Sequence, residues 1–294
     1  MQFQSITIRP EDEGKRLDIF LADKLGKSRN YIQNLISAGQ IRINKAEHKK
    51  NAYKLGKNDE IAYKLVEIES KVEAEDIKLD IIFENDDYFV INKNAGVVVH
   101  PSDTGHTSGT ILNAALNISK SAALVHRLDK DTSGVLVIAK NQKSKNRLSK
   151  LFKDRKVEKT YLALVRGIPR TPTGRIEAAI KRQERDRKRM SINSSGKEAV
   201  SYFKVLEVYS NAALLEVKIE TGRTHQIRVH MASIGHPIIG DSIYGDRKIN
   251  EYYKEHYGLE RQFLHAAQIK IDGQTFKAKL SKDLNKVYKT LTRS

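Results

Sequence analysis

The sequence predicts an α+β fold, with a mainly antiparallel central sheet preceded by a small α/β module. Three observations carry that class. Strand-like runs come in adjacent pairs, 79–83 with 88–92 and 202–208 with 213–219, rather than in regular β-α-β alternation. Two short helices and a strand crowd the N-terminal end. A charged stretch without apolar periodicity, 66–78, then reads as a linker. The expected organisation is a module over 1–65, the linker, and a large domain over 79–294. No internal repeat is visible.

In chain order, residues 3–8 alternate as a short strand. After Gly14, Leu17, Phe20, Leu21 and Leu25 fall at helical spacing. Gly26 ends that helix, and Ser28 is placed to cap the next. The second helix sets Tyr31, Ile32, Leu35 and Ile36 on one face, Gly39 stops it, and 41–44 alternate as a strand. Gly26-Lys27-Ser28 mimics the end of a phosphate-binding loop, but Leu21 stands where that loop requires its first glycine.

Beyond the linker, a polar turn over 84–87 joins the first hairpin. The apolar runs 122–125 and 135–139 read as buried strands. Residues 142–152 suit a helix with Leu148, Leu151 and Phe152 inward, and 159–165 a strand. The polar, basic stretch 169–196 reads either as a disordered surface loop or as a clamp that orders on a nucleic acid, its densest charge run lying at 181–189. The second hairpin turns at 209–211, and a helix over 224–233 ends at Gly235 and Pro237. The tail after Gly273 is weakly patterned and is assigned no site.

The 294 residues hold 53 Lys and Arg against 36 Asp and Glu, a net charge of +17. Such a surplus favours a polyanionic partner, a nucleic acid or an anionic membrane. It is clustered: 140–204 contain 20 Lys and Arg against 6 Asp and Glu, and 29–57 contain 7 against Glu47 alone. There is no Cys, which removes disulfides, thiolate ligands and cysteine nucleophiles. It fits a reducing compartment, and the expected location is cytoplasmic. No apolar run is long enough to span a membrane, and the first residues do not resemble a signal peptide. A monomer is expected.

Between the runs 122–125 and 135–139 lie His126, Arg127, Asp129, Lys130, Asp131, Thr132, Ser133 and Gly134. That much polarity between core strands is costly unless it is paired or used. From the residues alone it reads either as a catalytic platform centred on Asp129 or as a polar β-turn. HRLDKDTSG followed by VLVIAK resembles the catalytic motif of the RluA-type RNA pseudouridine synthases. NKNAGVVVHP, KTYLALVRG, TGRTHQIRVH and RQFLHAA resemble further blocks of that family, from 92, 159, 221 and 261. Asn94 stands where the family usually has proline. The stretch RLDIFLADKLGKSRNYIQNLISAGQIRINK resembles an S4 RNA-binding domain. The likeness covers about 79–267, with the S4-like module before it.

The resemblance implies the pseudouridine synthase fold and isomerisation of uridine in RNA, without metal, nucleotide or redox cofactor. It implies Asp129 as the catalytic carboxylate, rather than Asp131, with Arg228 as its partner. Tyr161 would stack on the extracted uracil, Leu264 would close the pocket, and Arg127 would fill the gap left in the RNA. Arg29, Arg42 and Lys45 of the S4-like module are expected to contact phosphates, which positions RNA without reading its sequence. Large-subunit ribosomal RNA is the first expectation for substrate. Transfer RNA, and a non-catalytic RNA-binding protein, are the alternatives. His225, His230 and His236 invite a zinc reading, but a five-residue gap does not put the first two on one helical face.

Overall fold

The computed structural model describes residues 3–27, 29–66, 72–101, 108–184, 186 and 189–292. The chain divides into two compact units, Met1–Lys71 and Val72–Ser294. Ser28, Arg185, Arg187 and Lys188 lie outside the described residues, so the helix cap and part of the basic run do too.

In the first unit, β1 (Gln4–Thr7) is followed by helices α1 (Leu17–Leu25) and α2 (Arg29–Ser37), then β2 (Ile41–Ile43), β3 (Ala46–Glu47) and β4 (Glu60–Tyr63). The strands form an antiparallel sheet in the order β1-β4-β2-β3. Leu17, Leu21, Ile32, Leu35 and Ile36 are buried against Ile41 and Ile61 of the sheet. The helical spacing of those residues is the reason both helices form here. Gly26 ends α1 in the left-handed conformation, φ 61°.

The second unit opens with residues 72–78 tied to helix α3 (Ile111–Ile118): the Glu73 carbonyl accepts from Asn113 Nδ2 at 2.8 Å, and Glu75 N–H donates to the Asn113 carbonyl at 3.0 Å. Strands β5 (Ile81–Glu84) and β6 (Tyr88–Lys93) form the first hairpin. Then come β7 (Ala123–Leu124), β8 (Ser133–Ala139), α4 (Gln142–Lys153), β9 (Glu158–Arg166), β10 (Thr173–Glu177), β11 (Ile180–Arg182) and β12 (Met190–Ile192). The chain continues through β13 (Val200–Val208), β14 (Ala212–Ile219), α5 (Gln226–Ser233), α6 (Arg247–Tyr257), β15 (Leu264–Ile271), β16 (Gln274–Lys277) and α7 (Lys282–Leu291).

Ten of these strands form one sheet, running β10-β13-β14-β9-β15-β8-β6-β5, with β16 on β15 and β7 on β8. Every pairing in it is antiparallel except β15 with β8. The run 135–139 is apolar throughout because β8 is covered on both faces. Leu136 and Ile138 join one core cluster, Val135, Val137 and Ala139 the other. Among the described residues no helix is long and apolar enough to cross a membrane.

Two local expectations need correction, at 122–125 and at the start of the helix expected over 224–233, and two weakly patterned stretches, 169–196 and the tail after Gly273, hold regular elements. The run 122–125 is a two-residue, half-buried strand, not a buried one. The chain leaves the sheet there, and the Val137 N–H is taken by His126 Nε2 at 2.9 Å instead of by another strand. The polar stretch 169–196 holds β10, which extends the large sheet, and the small β11–β12 hairpin. Buried Ile176 and Ile180 hold them, too sparse a pattern to read in advance. Helix α5 starts at Gln226 because His225 is left-handed, φ 55°. The tail after Gly273 forms β16 and α7, which buries Leu284, Val287 and Leu291.

Candidate active site

Parallel pairing of β15 with β8 brings two distant sequence blocks side by side, His265 opposite Ser133 and Ala266 opposite Gly134. The approach demands glycine. A Cβ on Gly134 would sit 2.2 Å from the Ala266 carbonyl oxygen, and φ is +117°. Strand β9 flanks β15 on its other side and sets Tyr161 opposite Ala266. The loop before β8 therefore opens beside Leu264 and Tyr161.

That loop is fixed carbonyl by carbonyl. Thr132 N–H donates to the Asp129 carbonyl at 3.1 Å. Gly96 N–H and Lys93 Nζ both donate to the Lys130 carbonyl, at 3.0 and 2.9 Å. Arg261 Nη1 donates to the Asp131 carbonyl at 2.8 Å, while its other nitrogens hold Ser133, Ser281 and Asp283. The Lys93 ammonium is almost wholly buried, and that burial pushes its pKa down to about 7. These bonds fix the backbone that carries the Asp129 side chain.

Asp129, Tyr161, Arg228 and Leu264 line one cleft, with Arg127 at the same cleft and exposed. Arg228 Nη1 donates to Asp129 Oδ2 at 3.2 Å. Asp129 Oδ1 has no hydrogen-bond partner among the described residues. The rest of the Arg228 fork is spent on Asp241, Nε to Oδ2 at 2.6 Å and Nη2 to Oδ1 at 2.9 Å. Asp241 Oδ1 also accepts from the backbone N–H groups of Ile243 and Tyr244, at 2.8 and 3.0 Å.

Burial alone would raise the Asp241 carboxyl, but the guanidinium and the two amides outweigh it and hold it below the usual carboxylate range. Burial likewise opposes the charge on Arg228, and its bonds and proximity to Asp241 and Asp129 reverse the effect and raise its pKa. Tyr161 is buried, and burial followed by the nearby Asp129 charge pushes its phenol up, so it stays neutral.

His225 also lines the cleft, its Nε2 4.0 Å from Asp129 Oδ2. His230 sits between Ser201 Oγ at 2.9 Å and the Ala178 carbonyl at 3.0 Å, and His236 Nδ1 meets the Arg166 carbonyl at 2.9 Å. The three histidines thus serve separate neighbours. Asp131 offers its carbonyl to Arg261 and does not line the cleft.

In the N-terminal unit Arg29, at the start of α2, donates Nε to Asp18 Oδ2 at 2.8 Å and is half exposed. The Arg42 guanidinium lies over the Phe3 ring, 4.4 Å from its centroid. Lys45 is exposed in the turn between β2 and β3. Sequence reasoning missed Asp241 and Tyr244, and read His225 only as a metal ligand to be dismissed. A signal for the first two existed: Asp241, Ser242 and Tyr244 follow the apolar pair Ile238-Ile239 between two glycines, the same mixture that marks the central motif.

Residues 87–233 match the model of a family described as RNA pseudouridylate synthase, and residues 15–61 match the S4 domain. An uncharacterised RNA pseudouridine synthase of Aquifex aeolicus is 43% identical over 253 residues, which cover 82% of this chain and 80% of that protein. Ribosomal large subunit pseudouridine synthase D of Haemophilus influenzae is 37% identical over 283 residues, 91% of this chain and 86% of that one. Among solved structures, human RNA pseudouridylate synthase domain containing 4 is similar with a TM-score of 0.60 at 27% identity, covering 72% of this chain and 92% of that one.

Proposed function

The chain belongs to the RNA pseudouridine synthase family, a family of isomerases, and we propose that it acts on uridine in large-subunit ribosomal RNA with Asp129 as its catalytic carboxylate. One observation carries the assignment of the carboxylate: Asp129 Oδ2 is fixed by Arg228 at 3.2 Å, while Oδ1 is left without a protein partner among the described residues. The naming of several relatives for the large ribosomal subunit carries the choice of RNA.

Isomerisation breaks the bond from ribose C1′ to uracil N1, turns the ring and forms the bond from C1′ to C5. The proton that leaves C5 is matched by one gained at N1, so the reaction needs no oxidant or reductant. A stacked base has no room to turn, so the uridine is swung out of the RNA first. Tyr161 offers the flat neutral face on which the uracil rests, and Leu264 closes the cleft. Arg127, exposed at the same loop, fills the gap left in the stack. The ionised Asp129 then supplies an attacking oxygen or a fixed negative charge as the glycosidic bond opens. Arg29, Arg42 and Lys45 of the S4 domain contact phosphates.

An Asp129→Asn protein tests the reading. It should bind substrate RNA within about twofold of wild type and form no pseudouridine, because the amide keeps the shape and loses the charge. Product at the wild-type rate would reject it. Mapping pseudouridines in cells with and without the gene tests the substrate: sites lost from transfer RNA alone would reject the ribosomal assignment.

A further inference from the structure

The β11–β12 hairpin, which carries Lys181, Arg182 and Arg189 of the basic run, is linked to the lining of the cleft through Tyr244. Met190 N–H, at the start of β12, donates to the Tyr244 hydroxyl at 2.7 Å. The same hydroxyl lies 2.9 Å from His225 Nδ1. Met190 takes one of the hydroxyl's two lone pairs and leaves the hydroxyl proton free to be donated to His225 Nδ1, the arrangement in which the other ring nitrogen keeps its proton toward the Asp129 carboxylate. In that arrangement His225 is the neutral tautomer with its proton on Nε2, the nitrogen 4.0 Å from Asp129 Oδ2.

The Tyr244 ring also meets two cations. The Arg228 guanidinium of the cleft lies 5.2 Å from its ring centroid, and that of Arg189, from the hairpin, 5.7 Å. Arg189 Nη2 also donates to the Ile243 carbonyl at 2.5 Å. Met190 and Tyr244 pack with Ile180 of β11, Ala199 and Val229 of α5, so an apolar cluster seats the hairpin on the helix that carries Arg228.

We propose that Tyr244 is a positioning residue that locks His225 with its Nε2 proton toward Asp129, and so couples the seating of the basic hairpin to the aim of the catalytic carboxylate. Such contacts are commonly long without substrate and tighten when it binds. With RNA drawn onto the hairpin, His225 becomes the second donor to Oδ2 beside Arg228, and Oδ1 alone faces the uridine. His225 itself acts on Asp129, not on the RNA. The inference rests on the reading of Asp129 as the catalytic carboxylate.

Tyr244→Phe is the test, because it keeps the ring beneath Arg228 and removes only the hydroxyl. Nitrogen-15 spectra of the full-length protein, free of RNA, should show His225 protonated at Nε2 in wild type and a tautomer mixture in the variant. Single-turnover kcat should fall roughly tenfold, the loss expected for one buried hydrogen bond, with RNA Kd within about twofold. In an His225→Asn background, where asparagine tolerates the left-handed backbone, the same change should cost less than about twofold. Arg189→Ala, outside the cleft, should shift the His225 resonances too.

A wild-type His225 protonated at Nδ1, a Tyr244→Phe kcat within about twofold of wild type, full additivity with His225→Asn, or His225 resonances unmoved by Arg189→Ala would each overturn the proposal. Full activity of Asp129→Asn would sink the reading of the carboxylate and this inference with it. An inactive Asp129→Asn beside an unimpaired Tyr244→Phe would sink this inference alone.

Discussion

Replacing Asp241 with asparagine should damage stability and catalysis together, although on the proposed reading Asp241 never touches the uridine. Arg228 is 4% exposed and spends two of its three side-chain hydrogen bonds on Asp241. Removing one partner of a buried pair typically costs about 3–5 kcal/mol, because the other charge stays buried. Here the loss should sit near the lower end, about 3 kcal/mol, since Asp129 still faces the guanidinium and the asparagine oxygen still accepts from Ile243 and Tyr244. For a unit of this size each kcal/mol moves Tm by about 2–4 °C, so the catalytic unit should melt roughly 6–12 °C lower. The asparagine amide turns an N–H toward the fork where an oxygen stood, and Arg228 loses its aim. A single-turnover rate about 100-fold below wild type, equivalent to about 2.7 kcal/mol, is expected, with RNA affinity little changed. Calorimetry and a pseudouridine assay on the same preparation measure both. A Tm drop under about 2 °C with a rate within about twofold of wild type would show that Arg228 is held by Asp129 alone and refute the reasoning.

Three further perturbations follow from the same bonds. Lys93 titrates near 7 when folded and at its ordinary 10.5 when unfolded, so between those values the unfolded chain binds more protons and stability rises with pH. Lys93→Met should remove that rise, and urea midpoints from pH 6 to 10 that stay parallel for the two proteins would contradict it. Gly134→Ala sets a methyl group against the Ala266 carbonyl in a disfavoured backbone conformation, and should lower the unfolding free energy by more than about 3 kcal/mol; an unchanged denaturant midpoint would show that β8 and β15 separate cheaply. Asp18, fully buried, accepts from Arg16, Arg29 and Gln33. Asp18→Asn should weaken RNA binding about fivefold by releasing the two arginines from their set orientation, and a filter-binding Kd equal to wild type would remove that role.

Much of the architecture was legible because periodicity reports burial directly. Leu17 and Leu21, Ile32 and Ile36, and the inner hairpin strands β6 and β14 announce the faces they bury, and the structure buries them there, while Ile81 and Ile82 of β5 stay exposed. The elements that escaped have their apolar residues set by distant partners. Helix α7 buries Leu284, Val287 and Leu291 in a stretch otherwise rich in lysine, and β10 buries Ile176 beneath a neighbour 24 or more residues away. The site divides the same way. Asp129, Tyr161, Arg228 and Leu264 stand in long blocks resembling a known family, and the fold brings all four to one cleft. Asp241 and Tyr244 stand between such blocks, and their importance is visible only once the guanidinium they hold is known.

The arrangement of charge explains why a second carboxylate belongs there. A guanidinium paired with Asp129 alone would bind it through two nitrogens and leave both oxygens engaged. Asp241 claims that bidentate face instead, at 2.6 and 2.9 Å, and leaves Asp129 one nitrogen at 3.2 Å. Two carboxylates then share one cation, so the cluster keeps a negative charge in a cleft where burial makes charge costly. The position of that charge follows from solvation: Asp241 is fully buried and saturated with donors, whereas the Asp129 side chain is 18% exposed with one oxygen unpaired among the described residues. The excess therefore rests on the Asp129 side, in the cleft, where on the proposed reading the electron-poor ribose carbon meets it. Arg228 aims the Asp129 carboxylate without neutralising it, and Asp241 makes that division possible.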